Sequence, residues 1–476
     1  MSCNINMEQN RIPDNVKKIH MVAACGTGMG ALACMLQDMG YDVTGSDENI
    51  YPPMSDFLKQ KGINLFKGFK KDNLQYGPDL VIIGNAVTAR NPEAVEVMER
   101  NIAFCSMPEA LNCFAAKGKK IILVAGTHGK TTTASIMAHL LYMAGLDPSF
   151  MIGGILKDFN GNYRIGNGDY IVIEGDEYDT AFFDKGPKFM HFDPCVTIIT
   201  GVEFDHADIF RDLDHVKDVF KKFVKGISKR SLILACDGDE NLKEILEYGK
   251  CRVETYGKES ADWSYRELKI ESCETLYQVT TPQGNFFKVA TPLMGRHNLM
   301  NALAVAGVAK KIGISDNSLV NALKTFSGIK RRQDIRGVKK GITIMDDFAH
   351  HPTAVKETIS AVKPFFQKGR VIAVFEPRTN SSMRSVFQDL YPSSFDEADM
   401  VCVRKPSRID KIPVPERLSS EKLVADINKK GTDAFHFKDT DSIITFLNQN
   451  AEKGDLLLIM SNGGFDNIHQ RLLESL

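Results

Sequence analysis

The sequence predicts an α/β protein of three units: a Rossmann-like unit at each end and, between them, a P-loop ATPase-like unit on a parallel sheet. Three observations carry that expectation. Short apolar strands alternate with amphipathic stretches almost throughout. Two of those strands run directly into glycine-rich turns that open helices. A chain of 476 residues is also too long for one core, since a domain takes roughly 150.

Composition narrows the partners. Hydrophobic residues make up 43% and charged residues 25%, an ordinary globular balance. A net charge of −1 gives no electrostatic reason to expect nucleic acid or a membrane surface. The ten cysteines lack CxxC spacing, and Cys195, Cys236 and Cys402 lie in apolar runs, so they read as reduced core residues. Met1 to Asn15 is polar, without a signal-peptide core, and no window reaches about 18 uninterrupted apolar residues. The expectation is a cytoplasmic enzyme that binds no nucleic acid and inserts in no membrane, with no sign of an obligate protein partner.

The first unit, 1–115, opens with a strand over Lys18–Ala24 and continues with strands at Asp42–Gly45 and Leu80–Gly84. Cys25-Gly26-Thr27-Gly28-Met29-Gly30 follows the first strand, and Asp47 stands 21 residues after Gly26, at the end of the second. Glycines that let backbone approach a diphosphate, with an acid for ribose hydroxyls, make the dinucleotide fingerprint. The pattern specifies a diphosphate and not the nucleotide carrying it, because a UDP-sugar presents the same group as NAD. Gly26, Thr27, Gly28, Met29 and Asp47 are the candidates. Glycines serving only helix–strand packing are the plainer alternative. The unit fades at Ala115-Ala116-Lys117-Gly118, a linker.

The second unit, 116–328, begins with Ile121-Ile122-Leu123-Val124 and then Ala125-Gly126-Thr127-His128-Gly129-Lys130-Thr131-Thr132-Thr133. Gly126 and Gly129 free backbone N–H groups to converge on oxyanions, Lys130 reaches the outer phosphates, and Thr131 can ligate Mg²⁺. The helix N-terminus adds partial positive charge. This loop predicts ATP binding, and Lys130 is expected on an exposed loop, where its loss is felt in rate and not in folding. Strands at Tyr170–Ile173 and Val196–Thr200 also end in chemistry. The first leads into Glu174-Gly175-Asp176-Glu177-Tyr178-Asp179, four acids whose repulsion calls for cations or solvent. The second leads into Glu203-Phe204-Asp205-His206-Ala207-Asp208, where a histidine among acids suits a second Mg²⁺. A helix over Asp214–Gly226, a strand at Leu232–Cys236, a two-residue period over about 252–292 that reads as an antiparallel flap, and a helix over Asn298–Lys311 complete the unit.

The third unit, 329–476, follows the basic hinge Lys330-Arg331-Arg332. Its strands at 342–345, 370–375, 399–403 and 455–459 again look doubly wound.

Taken together, AGTHGKTTT, IEGDEYD, EFDHADIF, GRHNLMNALA and DDFAHHPT resemble the Mur ligase family of ATP-dependent amide-forming enzymes of peptidoglycan synthesis. The likeness covers essentially the whole chain, including CGTGMG…TGSD, which in that family binds UDP. It implies a UDP-binding first unit, an ATP-binding second unit and a third unit that receives the amine. By motif, Lys130 and Thr131 would hold the outer phosphates and the first Mg²⁺, Glu174 would ligate Mg²⁺, and His206 the second Mg²⁺. The loop residues Gly126, Thr127, His128, Gly129 and Thr132 would line the phosphates. His297, Asn298 and Asn301 match the adenine-binding segment, Arg332 and Asp346 would reach the nucleotide on closure, and His351 and Arg378 would lie near the amine. His351 is the candidate base; a helix cap is the plainer reading of His350-His351-Pro352. Lys221 falls loosely where some members carry a carbamylated lysine, although a solvated helix lysine is the simpler account.

Within the family, YPPMS, EYDTAFFDKGPKF, FEPRTNSSM and SNGGF look most like members that join L-alanyl-γ-D-glutamyl-meso-diaminopimelate, a murein tripeptide, to UDP-N-acetylmuramate. Members that add L-alanine typically carry a serine where Tyr178 stands and a His-Arg pair where Arg378 directly follows Pro377. L-Alanine addition is the rival inside the family. An NAD-dependent dehydrogenase, a P-loop motor or switch, and a UDP-sugar binding module are the rivals outside it, and none explains the central acid and histidine clusters.

Overall fold

The computed structural model describes residues 7–207, 209–258, 260–271, 273–407 and 409–476. Asp208, one of the acids in the histidine segment, lies outside them. Three sheets organise the chain. The first holds β1 (Lys18–Val22), β2 (Asp42–Asp47), β3 (Asn64–Lys67), β4 (Leu80–Ile83) and β5 (Phe104–Ser106), all parallel in the order β3-β2-β1-β4-β5. The order reverses beside β1, so the glycine loop after β1 opens at the switch point where parallel sheets bind ligands.

The central sheet has ten strands: β6 (Lys120–Ala125), β7 (Ser149–Leu156), β8 (Gly161–Arg164), β9 (Tyr170–Glu174), β10 (Val196–Ile199), β11 (Leu232–Cys236), β12 (Arg252–Gly257), β13 (Trp263–Glu271), β14 (Glu274–Thr280) and β15 (Phe286–Thr291). Their order is β15-β14-β13-β12-β11-β10-β6-β9-β7-β8. β6 therefore lies between β9 and β10, parallel to both, and the three chemistry-bearing loops leave one edge side by side. The segment at 252–292 is no separate flap. β12 and the start of β13 continue the parallel sheet; β13, β14 and β15 pair antiparallel as one edge of it, as β7 and β8 do at the other.

The third sheet follows the order β16-β17-β21-β18-β19-β20, with β16 (Asp334–Lys339), β17 (Ile342–Asp347), β18 (Val371–Phe375), β19 (Met400–Arg404), β20 (Asp433–Phe437) and β21 (Leu456–Met460). All pairs are parallel except β16 with β17. Sequence reading missed β3, β5, β8, β16 and β20, which lie at sheet edges and carry polar residues or glycine, and β7, whose apolar run is broken by Gly153-Gly154.

Helices cover the sheets with the faces their periods dictate. Leu213–Gly226 buries Val216, Phe220, Phe223 and Val224, a stripe one helical face wide, and Asp212 caps it by accepting from the His215 N–H. The helix Lys130–Met143, by contrast, is buried on almost every side between the sheet and the helices Arg296–Lys311 and Asp316–Thr325. Among the described residues, no helix is long and apolar enough to cross a membrane.

The single tryptophan anchors the edge of the central sheet. Trp263 is 2% exposed, its indole packs against Gly307 of the helix Arg296–Lys311, and its Nε1–H donates to Glu254 at 2.9 Å. Trp263→Ala should cost about 3–5 kcal/mol through the cavity it leaves, while Arg252 and Lys311 still pair with Glu254. Denaturant unfolding of the central unit followed by circular dichroism measures it; a loss below 1 kcal/mol would mean the edge strands are not held by this contact.

Candidate active site

The phosphate loop is shaped by two glycines in conformations that side chains disfavour. Gly126 has φ +125°, and a Cβ there would lie 2.3 Å from Thr200 Oγ1 and 2.9 Å from the Gly201 carbonyl. Gly129, at φ +82°, starts the helix against Asn301, whose Oδ1 would be 2.7 Å from a Cβ. Thr127 ties the loop to the neighbouring strand end: Glu203 N–H donates to its Oγ1 at 2.9 Å, and its hydroxyl donates to the Glu203 carbonyl at 3.2 Å. Thr132, in the first helical turn, is half-buried.

Lys130 departs from expectation. It is not on an exposed loop but is the first residue of the helix, and it is buried. Its Nζ donates to the Gly126 carbonyl at 2.6 Å and to Glu177 Oε2 at 2.8 Å. Burial works to strip its proton, but the charges of Glu177, Asp176 and Glu174 outweigh that, and its pKa is raised. Lys188 supplies the second cation: it pairs with Asp176 at 2.8 Å and lies 4.1 Å from the centre of the Tyr178 ring. The acidic loop is thus compensated in part by the protein's own lysines.

Glu174 retains proton affinity. Burial and the charge of Asp176 raise its pKa, opposed by Lys130. It accepts from Thr131 Oγ1 at 2.7 Å and from the Gly153 N–H at 2.6 Å. Thr131 and Glu174, both hard oxygen donors in contact, form a donor set that suits Mg²⁺. His206 has φ +53° and faces Glu177 Oε1 at 3.6 Å, its ring 5.1 Å from Tyr178. The left-handed backbone holds this imidazole towards the acids that follow β9.

The third unit closes on this edge. His351 caps its helix, the plainer of the two readings: Nδ1 accepts from the Thr353 N–H at 3.3 Å at the start of Pro352–Val362, while Nε2 meets the Phe204 carbonyl at 3.2 Å. Thr353 Oγ1 donates to Glu203 at 2.8 Å, and the Ala207 N–H donates to Ser381 Oγ at 3.2 Å. Glu203 is held down to about 2, chiefly by His128. Asp205 is held at about 2 despite burial, by His206, His350 and His351. Burial first, and His128 next, push His351 down to about 4.

At the hinge, Arg332 lies over the Phe348 ring at 4.8 Å, within electrostatic reach of Asp347 and Glu174. Asp346 does not share that setting. It is buried in ion pairs with Arg331 and Arg336 at 3.6 Å and with His469 at 3.3 Å. Neighbouring residues of a strand point to opposite faces, so Asp347 stands on the side of Arg332. Asn298 donates to Gln333 at 3.0 Å and Asn301 donates to Asn298 at 3.3 Å, while His297 is pushed down to about 4 by burial and by Arg332. Arg378 lies across Gly463 and 3.6 Å from the fully buried Glu376, which also accepts from Arg404 and Ser461 at 2.8 Å. Lys221 pairs with Glu244 at 2.7 Å, as an ordinary helix lysine does.

At the far end of the molecule, Asp47 braces its own loop: it accepts from the Cys25 N–H at 2.9 Å and from the Asn49 N–H at 2.9 Å. Gly30 packs on Met54, which is a packing role, but Gly26 has open space beyond the Ala23 carbonyl at 3.9 Å. Met107 and Met151 flank Gly28, and Asn162 of the central unit donates to the Thr27 carbonyl at 3.2 Å. Met29 is buried in the helix Thr27–Asp38. Sequence reading missed the parts played by Glu177, Lys188, Glu203, Asp205 and Asp347. Three of these stood within quoted acidic motifs, Asp347 within DDFAHHPT and Lys188 within EYDTAFFDKGPKF, but none of those segments reveals the partner that packing supplies.

Two measurements follow. Lys130→Met strands the buried Glu177 carboxylate, so it should destabilise the central unit by about 3–5 kcal/mol at neutral pH; unchanged unfolding would show that Glu177 is compensated otherwise. For His351, the folded form refuses a proton that the unfolded chain takes up below about 6.5. Stability present above 6.5 is therefore lost as pH falls towards 4, at up to about 1.4 kcal/mol per pH unit. His351→Asn, which preserves the cap, should flatten that limb of the stability–pH curve; a slope equal to the parent's would refute the assignment.

Family models described as Mur ligase family, catalytic domain; Mur ligase middle domain; and Mur ligase, glutamate ligase domain match residues 18–119, 124–309 and 331–463. The chain is 38% identical, over 96% of its length and 98% of the relative's, to the UDP-N-acetylmuramate–L-alanyl-γ-D-glutamyl-meso-2,6-diaminoheptandioate ligase of Escherichia coli strain K12. It is 33% identical over 96% of its length and 98% of the relative's to the UDP-N-acetylmuramate–L-alanine ligase of Clostridium perfringens. Among solved structures, a murein peptide ligase from Psychrobacter arcticus superposes with a TM-score of 0.72 at 33% identity, covering 97% of this chain and 98% of that one. With family models matched along its length, and full-length likeness to named ligases, the chain belongs to the Mur ligase family and is a ligase.

Proposed function

We propose that the protein is a cytoplasmic ATP-dependent ligase that joins the lactyl carboxylate of UDP-N-acetylmuramate to the amine of the tripeptide L-alanyl-γ-D-glutamyl-meso-diaminopimelate, releasing ADP and phosphate. The observation that carries the reading is the convergence of three strand ends, β6, β9 and β10, on one buried charge cluster that the third unit covers. In this reading residues 1–115 hold UDP, residues 116–328 hold ATP, and residues 329–476 bring the amine.

A carboxylate does not acylate an amine at neutral pH, because oxide is its leaving group. Taking the γ-phosphoryl of ATP converts it to an acyl phosphate, and two anions must meet for that to happen. Lys130 and the bare N–H groups after Gly129 supply fixed positive potential where they meet. Thr131, Glu174 and His206 would hold Mg²⁺, which neutralises phosphate charge when bound. His351, neutral around pH 7, has the protonation state of a base for the incoming ammonium. Closure of the third unit keeps water from the acyl phosphate. Gly26, Thr27, Gly28, Met29 and Asp47 would seat the uridine diphosphate, and Asn298, Asn301, His297 and Arg332 the nucleotide, with Asp347 taking the part expected of Asp346.

Arg378 favours the tripeptide over L-alanine. Its guanidinium pairs bidentately with carboxylates, and a tripeptide offers several where L-alanine offers one. Tripeptide should therefore stimulate ATP-dependent phosphate release, with UDP-N-acetylmuramate present, far more than L-alanine does. Gly463→Ala places a methyl 2.2–2.5 Å from Arg378 Cδ, Nε and Cζ, and so should lower kcat/KM for tripeptide about tenfold or more by displacing the fork. A higher kcat/KM with L-alanine would assign the chain to alanine addition instead. A response to NADH without ATP would overturn the ligase reading of the site altogether.

A further inference from the structure

One cluster on the seam between the central and third units is not used by the Mg²⁺ assignment. His128 from the phosphate loop, Glu203 from the loop after β10 and His351 from the third unit each bring one potential ligand atom within 4.8 Å of the other two. His128 Nε2 lies 3.4 Å from Glu203 Oε2; it is shut off from solvent and finds no hydrogen-bond partner among the described residues. The His128 and His351 rings stand 4.7 Å apart, centre to centre. Outer partners are in place as well. Thr353 Oγ1 fixes the Glu203 carboxylate at 2.8 Å, and the Phe204 carbonyl holds His351 Nε2 at 3.2 Å. Such bonds orient the imidazole and carboxylate ligands of metal sites.

We infer that His128, Glu203 and His351 form a binding site for a borderline-soft divalent cation of the zinc type, bridging the phosphate loop to the third unit. Two imidazoles and one carboxylate, with a fourth position left to water, make a three-ligand zinc set. The same set suits Mg²⁺ poorly, since that ion prefers oxygen donors and keeps much of its water. Arms of about 2.1 Å in tetrahedral array put ligand atoms roughly 3.4 Å apart. His128 and Glu203 already stand at that separation, and His351 needs a shift on the order of 1 Å. With Nε2–H given to Phe204, His351 would offer Nδ1, giving up its long bond from Thr353 N–H. The Glu203 side chain is 44% exposed, so the cluster is reached from its side. A bound cation would pin the closed arrangement and occupy His351.

Calorimetric titration of Zn²⁺ into the full-length protein, with millimolar Mg²⁺ present, tests this without any substrate. The expected result is one Zn²⁺ per chain, weakened at least about tenfold in Glu203→Gln and in His128→Gln, and unchanged in His206→Gln. Co²⁺ in place of zinc should give the visible absorption of a four-coordinate site, lost in the same two variants. If Glu203→Gln does not fold, His128→Gln reads the same ligand set. Zinc binding that survives both ligand substitutions, or that disappears with His206→Gln, places the ion at the Mg²⁺ donors and overturns the inference. Absence of stoichiometric binding does so too. None of these outcomes depends on which amine the ligase takes.

Discussion

The structure depends most on a buried balance of charge at the carboxyl ends of β6 and β9. Glu174, Asp176 and Glu177 crowd together there, and Lys130 and Lys188 answer them from the phosphate loop and from the turn near residue 188. Desolvation makes each of these groups costly alone, and the attraction between them is strong for the same reason. Lys130 is therefore structural and chemical at once. The lysine in the helix's first turn reaches back to the carbonyls of its own loop, and Glu177 fixes where its ammonium rests. Glu174, whose ionisation burial and the charge of Asp176 oppose, is the acid left to share an incoming cation.

Around that cluster the third unit is held by polar contacts and by a small apolar one, Phe204 and Met294 of the central unit packing against its core. Across the seam Lys157 pairs with Asp334 at 2.6 Å, Thr353 donates to Glu203 at 2.8 Å and the Ala207 N–H donates to Ser381 at 3.2 Å. A seam with so large a polar share opens at less cost than a wholly hydrophobic interface, which suits a site that must admit substrates and then exclude water. His351 joins the two functions. Its cap fixes the ring on the helix Pro352–Val362, and its other nitrogen rests against the central unit.

The first unit follows a similar logic in miniature. His20 and Glu93 are both fully buried, their nearest atoms 3.5 Å apart, and Glu93 accepts from Ser46, Asn73 and the Lys70 backbone. This network lies at β1 and β2, the strands that deliver the glycine loop and Asp47. Asp47 in turn spends one oxygen on the Cys25 N–H, so the acid read from sequence as a ribose partner also shapes the loop it serves.

Much of this was legible in sequence because it is local. A strand followed by glycines and a helix start is a property of a dozen consecutive residues, and so are the acidic motifs after β9 and β10 and the basic hinge. The family likeness rests on the same short segments. Other features were not local and could not be read. Sheet order decides that the loops after β6, β9 and β10 are neighbours. The fold buries Lys130, which the motif alone left exposed. Strand alternation chooses between Asp346 and Asp347, and a pair of adjacent aspartates does not reveal which face will meet Arg332. Lys188, and the approach of His128, Glu203 and His351 from three distant segments, exist only once the chain is packed. Sequence determines which groups can do chemistry wherever short-range geometry suffices; packing decides their charge states and companions, because desolvation and Coulomb attraction depend on neighbours in space.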